Sequence, residues 1–204
     1  MRELLIYKDI ELKAGAELEG VDLSGLDMSD LNLAKVNLKG ANLTGANFTD
    51  SCLSGAEMAG ACLVQAKLTK VNISLADLTG ADLDQADFTN ALMFSTNLKK
   101  ARLTQARLPW ADLTKANLEE ADLTGARMTD AFLTRANLIR ANLTDAGLQS
   151  VDFELADLSG AILTRATMHR AILQETIMKG TDLTGVDLSQ VDLSQVDLSQ
   201  AIRT

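Results

Sequence analysis

Large apolar residues recur along this chain with a period of five. Every position whose number ends in 3 or 8, from Leu18 to Leu198, holds Leu, Met, Phe or Ile, without exception over 37 positions. Two residues before each stands Ala in most cases, otherwise Val, Leu, Thr or Ser. Between the two the chain usually places Asp or Asn, as at Asp77, Asp82, Asn137 and Asn142, and Thr or Ser commonly follows. Within this array eleven glycines occupy the fifth place, Gly40, Gly45, Gly80 and Gly185 among them. The register never slips and no linker interrupts it. The pattern therefore predicts one repeat domain over 16–204, preceded by a cap segment over 1–15.

Neither standard period accounts for this spacing. On a helix, apolar residues two, three and five apart would be smeared around the whole surface. A run of small, polar and large side chains reads instead as a very short strand, its two apolar members facing inward and the polar one outward. The remaining two residues, often Thr-Gly or Ser-Gln, must turn the chain, and glycine suits such a corner because it tolerates backbone angles other residues avoid. Five residues then form one side of a polygonal coil, and successive coils stack.

Tandem Ala-(Asp/Asn)-Leu-x-x units such as "ADLTG" at 76–80 and 121–125 resemble the pentapeptide-repeat family, and the resemblance covers residues 16–200. It implies an all-β fold, a right-handed quadrilateral parallel β-helix with twenty residues per coil. About nine coils, ~4.8 Å apart, would make a rod about 43 Å long. The resemblance also brings a functional alternative, since some members bind DNA gyrase as mimics of duplex DNA and so protect it from quinolones or toxins.

The ends depart from the pattern. Residues 1–15 carry Glu3, Lys8 and Lys13 where the array would place core residues, while Leu4, Leu5, Ile6, Tyr7, Ile10 and Leu12 are apolar. A short helix or irregular strand covering the first coil is expected. At the other end, Asp182, Asp187, Asp192 and Asp197 place one acid on each side of a final coil. Its exposed edge makes this the expected site of self-association.

Composition narrows the function. The opening residues hold four consecutive apolar positions, too few for a signal-peptide core or a membrane span, so a cytoplasmic protein is expected. A net charge of −9 argues against direct nucleic-acid binding, which requires Lys and Arg at phosphates. It also bears on DNA mimicry. Duplex DNA carries one charge per ~1.7 Å, or about 25 over such a rod, whereas the stretch 71–170 holds ten basic and thirteen acidic residues.

Catalytic chemistry finds no constellation. His169 is the only histidine and falls at a corner where exposure is expected. Cys52 and Cys62, half a coil apart, face opposite sides. No His/Cys cluster has the spacing of a metal site, so no metal, cofactor or enzymatic activity is expected. The least regular segment is "ALMFSTNLKKARLTQARLPWAD" at 91–112. Leu92 and Phe94 replace outward or corner polar residues there, Trp110 takes a corner, and Phe132 replaces an outward residue on the side that carries Leu92. These four define a candidate protein-contact patch, since exposed apolar clusters with charged borders mark protein contacts. The expected function is a non-enzymatic, rigid interaction module.

Overall fold

The computed structural model describes residues 1–8 and 10–203. Each quintet forms one side of a square coil, and along most of the rod each outward residue pairs in parallel with the residues twenty before and twenty after it. Asp122, for example, bridges Arg102 and Asn142.

One repeat shows why its residue types recur. In 121–125, all five amide hydrogens are used. Ala121 closes the preceding turn on the Leu118 carbonyl (3.0 Å), Asp122 donates to Ala101 (3.0 Å), Leu123 to Asn142 (2.7 Å) and Gly125 to Thr144 (2.9 Å). The fourth, Thr124, donates to the Asp122 carboxylate (3.1 Å). The outward Asp or Asn thus satisfies an amide that no neighbouring coil reaches, which buried or half-buried backbone demands.

The corners impose a second requirement. Every fifth-place residue from Gly15 to Gly185 is left-handed, with φ between 53° and 71°. With the turn bond from the following residue, this is the pattern of a type II turn. Non-glycine residues fill many of these corners, but none is β-branched, in keeping with the steric cost of a branched Cβ at positive φ.

The inside of the tube is filled mainly by aliphatic side chains. The third-place side chains stack in columns, such as Leu103, Leu123 and Leu143, all fully buried, and Ala residues fill the places beside them. Phe48, Phe88 and Phe153 are the bulkiest members. Where the small position is hydroxylated the group is bonded. Thr96 donates to Ile73 (3.0 Å) and Thr181 to Leu158 (2.8 Å).

At the beginning of the chain two strands form an antiparallel hairpin, β1 (Leu5–Tyr7) with β2 (Ile10–Leu12), Leu5 opposite Leu12. Leu12 is fully buried against the core, and Leu5, Tyr7 and Ile10 pack on it. Arg2 adds a bridge to Leu31, and its carbonyl accepts from Asn32 (2.7 Å). The cover is therefore a hairpin and not a helix.

The coil of 186–200 differs. Asp182 and Ile202 are bridged in register, but among the described residues no ladder bond joins Asp187, Asp192 or Asp197 to the coil below. Gln190, Gln195 and Gln200 also lie outside the left-handed region. Their own carbonyls accept from Arg170 (3.3 Å), Glu175 (3.3 Å) and Gly180 (3.0 Å), in the role that fourth-place carbonyls play elsewhere.

Candidate functional site

Twenty residues per coil gives the tube four faces. One carries Asn72, Leu92, Asp112, Phe132, Asp152 and Ile172 as consecutive bridged partners. Leu92, Phe132 and Ile172 are each about half exposed, at 50%, 49% and 50%. They alternate with aspartates, so neighbouring apolar groups are two coils, ~9.6 Å, apart. Phe94 lies at the edge that follows this face and Trp110 at the edge that precedes it, both exposed. The structure thus gathers all four patch residues of the sequence onto one face and its edges.

Two further members were not singled out from the sequence. Ile172 continues the Leu92–Phe132 series at the same forty-residue interval, a recurrence visible in the sequence once columns are compared. Leu75 occupies a left-handed corner on the Phe94 edge, with φ 61°, and is among the most exposed apolar residues. In the repeat array, six of the nine exposed large apolar residues therefore belong to this face and its edges.

Leu92 and Phe132 displace the Asp or Asn whose side chain would bond the fourth amide of their repeats. Asp112 and Asp152, between them, keep that bond, to Thr114 (3.0 Å) and Glu154 (2.9 Å). Forgoing a partially buried hydrogen bond costs about 1 kcal/mol, comparable to what the buried half of each apolar side chain contributes. Lys115 sets its ammonium 5.3 Å from the Phe94 ring centre, a cation–π contact at the border of the patch.

The other sequence candidates are dispersed. Asp182 lies on the face of Asp122 and Asn142, while Asp187, Asp192 and Asp197 ride on the loosened coil. Each binds the amide two residues on, Asp187 to Ser189 (2.8 Å), Asp192 to Ser194 (2.9 Å) and Asp197 to Ser199 (2.8 Å). The amides, then the serine hydroxyls, hold the Asp187 and Asp192 carboxyls below the usual range, and for Asp197 the Ser199 hydroxyl leads and its amide follows. For Asp182 the Thr184 hydroxyl leads and its amide follows. His169 does occupy a corner, but it is half-buried, and its Nδ1 is shielded from water without a partner. Cys52 and Cys62 are free and stand on opposite faces, Cys62 with the Thr44 hydroxyl at 3.2 Å. Among the described residues no His/Cys/Asp/Glu group could hold a metal ion, and no helix is long and apolar enough to cross a membrane.

The family model for pentapeptide repeats matches in eight copies, its segments running from 14–50 to 161–200. The chain belongs to the pentapeptide-repeat family. Among solved pentapeptide-repeat structures, HetL from the cyanobacterium Nostoc sp. PCC 7120, a protein involved in heterocyst differentiation regulation, superposes with a TM-score of 0.80. It is 31% identical, over 92% of this chain and 86% of HetL. A thylakoid-lumen pentapeptide-repeat protein of Arabidopsis thaliana is 30% identical over 64% of this chain and 70% of its own, with a TM-score of 0.32. QnrB1, a plasmid-mediated fluoroquinolone resistance protein, is 18% identical over 94% and 88%, with a TM-score of 0.47. No curated protein sequence matches the chain. As in the family fold, this pentapeptide-repeat protein is a right-handed quadrilateral β-helix.

Proposed function

We propose that this pentapeptide-repeat protein is a non-enzymatic interaction module whose rigid tube presents the Leu92 face to a protein partner. The observation that carries this reading is the gathering of Leu75, Leu92, Phe94, Trp110, Phe132 and Ile172 on one face and its edges, all exposed. A continuous ladder beneath them fixes their spacing, so little order has to be imposed on this side of the contact. Its likeness to HetL, itself a protein of regulation, supports a binding role.

Affinity capture from the source cell, with the intact protein and with a Trp110→Ser, Phe132→Ser variant, tests the proposal. The partner is expected to be lost with the double variant and kept with a variant of the opposite face such as Asp122→Asn. Retention by the double variant would remove the face from the account.

Gyrase protection is the alternative. The mixed charge of the rod speaks against it, since Arg102 pairs with Asp82 (2.9 Å) and Arg140 with Glu120 (2.7 Å) where a DNA mimic needs uncompensated acids. A supercoiling assay with and without quinolone decides, and no effect at micromolar protein is expected. The half-buried Leu188 and Leu193 on the loosened coil support self-association there. Light scattering at high concentration tests it, and a strictly monomeric species would contradict it.

A further inference from the structure

The face that precedes the Leu92 face carries Asp87, Arg107, Arg127, Gly147 and Thr167 as consecutive partners, and the two faces meet at the Trp110 edge. Elsewhere arginines at the outward position find an acid on the adjoining coil. Arg102 pairs with Asp82 (2.9 Å) and Arg107 with Asp87 (3.4 Å). Arg127 has none. Its partners are Arg107 on one side, a like charge that destabilises the pairing, and Gly147 on the other. Among the described residues its guanidinium makes no ion pair or hydrogen bond.

Gly147 is the only glycine at an outward position, and the backbone does not require it. It is also the only glycine without a positive φ. An added Cβ would lie 3.4 Å from the tip of the Gln149 side chain, an ordinary contact. Gly147 and the corner residue Gly125 help to line an open concavity of about 420 Å³, walled by Arg127, Gln105, Thr129 and Gln149. It adjoins a second of about 360 Å³ beside Arg107. Asp145, also at its rim, is bound by Arg165 through two bonds of 2.7 Å, so it does not neutralise Arg127. Thr129 and Gln149 already bond each other at 3.2 Å.

We propose that this notch receives a carboxylate of the protein partner, an aspartate or glutamate on an acidic segment, as the partner lies across the Trp110 edge. The partner's acid takes the place where the repeat itself usually puts Asp. One free guanidinium matches one carboxylate in charge and in its forked geometry. The proposal rests on the Leu92 face being the docking surface, and its test is separate from that of the face.

The probe is end-blocked tetraglutamate, titrated at low salt into isotope-labelled protein while the Gly147 amide and the Arg127 Nε–H resonances are followed. Both are expected to shift together and to saturate. Affinity should fall about tenfold or more in Arg127→Gln, and in Gly147→Asp, which supplies the acid from within. Trp110→Ser should leave the shifts in place. That result would stand even if the Leu92 face failed its capture test. Shifts spread evenly over the other arginines, no shift at all, or unchanged binding by Gly147→Asp would overturn the proposal. So would inorganic phosphate, at equal concentration, shifting the same resonances further than the peptide.

Discussion

The middle of the rod and the coil of 186–200 invert an expectation. The most uniform stretch of sequence is VDLSQ, three times over, yet its coil is the least bonded. In the middle, irregular repeats bearing Leu92, Arg107 or Gly147 keep every ladder bond at 2.7–3.1 Å. Uniformity of the repeat is therefore not what binds coils together. What separates the two regions is the corner. Left-handed fifth residues orient the fourth carbonyl toward the coil below, and at Gln190, Gln195 and Gln200 that conformation is gone. The same coil places Val186, Val191 and Val196 above Ala166, Ala171 and Thr176, bulkier inward groups on three successive sides.

The largest expected contrast is in the core. Leu123→Ala, at a fully buried site in the laddered region, should cost about 3 kcal/mol in denaturant unfolding. Leu193→Ala, on the half-buried loosened coil, should cost about 1 kcal/mol or less. Equal losses would mean that the coil is as well packed as the rest.

Corners give the next effect. Gly45 has φ 64° and open space around it, so Gly45→Ala should cost about 1 kcal/mol through backbone strain alone. Gln195→Ala should stay within about 0.5 kcal/mol of neutral. Gly147→Ala should move the other way and stabilise by about 0.5–1 kcal/mol, because it removes backbone freedom from the unfolded chain without strain in the fold. A loss there would show that the notch has a structural purpose.

Acid should act on the turn carboxylates. Asp22 is held low by the amide and then the hydroxyl of Ser24, and Asp192 likewise by Ser194. Because the folded values lie below the unfolded one, these bonds contribute stability that is fully present above about pH 4 and is lost as pH falls through the folded values. Thermal melting between pH 3 and 7 should show a plateau and then a decline on the acid side. A profile that stays flat down to pH 3 would show that these bonds add nothing to stability.

Much of this architecture was legible before the structure. The inner leucine columns follow from a strict period of five, because a side chain excluded from water at every fifth place leaves little choice of backbone. The patch residues stand out as departures from polar consensus, whereas Ile172 sits in a neighbourhood that otherwise reads as ordinary repeat. The corner switch was not legible. Gln65, Gln85 and Gln105 are left-handed whereas Gln190, Gln195 and Gln200 are not, so residue type alone does not decide the turn. The hairpin over 5–12 was equally open, since a short apolar run suits strand or helix alike.

Amide hydrogen exchange tests most directly whether corner conformation governs the ladder. Asp187, Asp192 and Asp197 should exchange early, while Asp122, Phe132 and, nearer the end of the chain, Ile202 stay protected through bonds such as that from Ile202 to Thr181 (2.8 Å). Protection of the three aspartate amides equal to that of Asp122, or loss of protection at Ile202 along with them, would contradict the account.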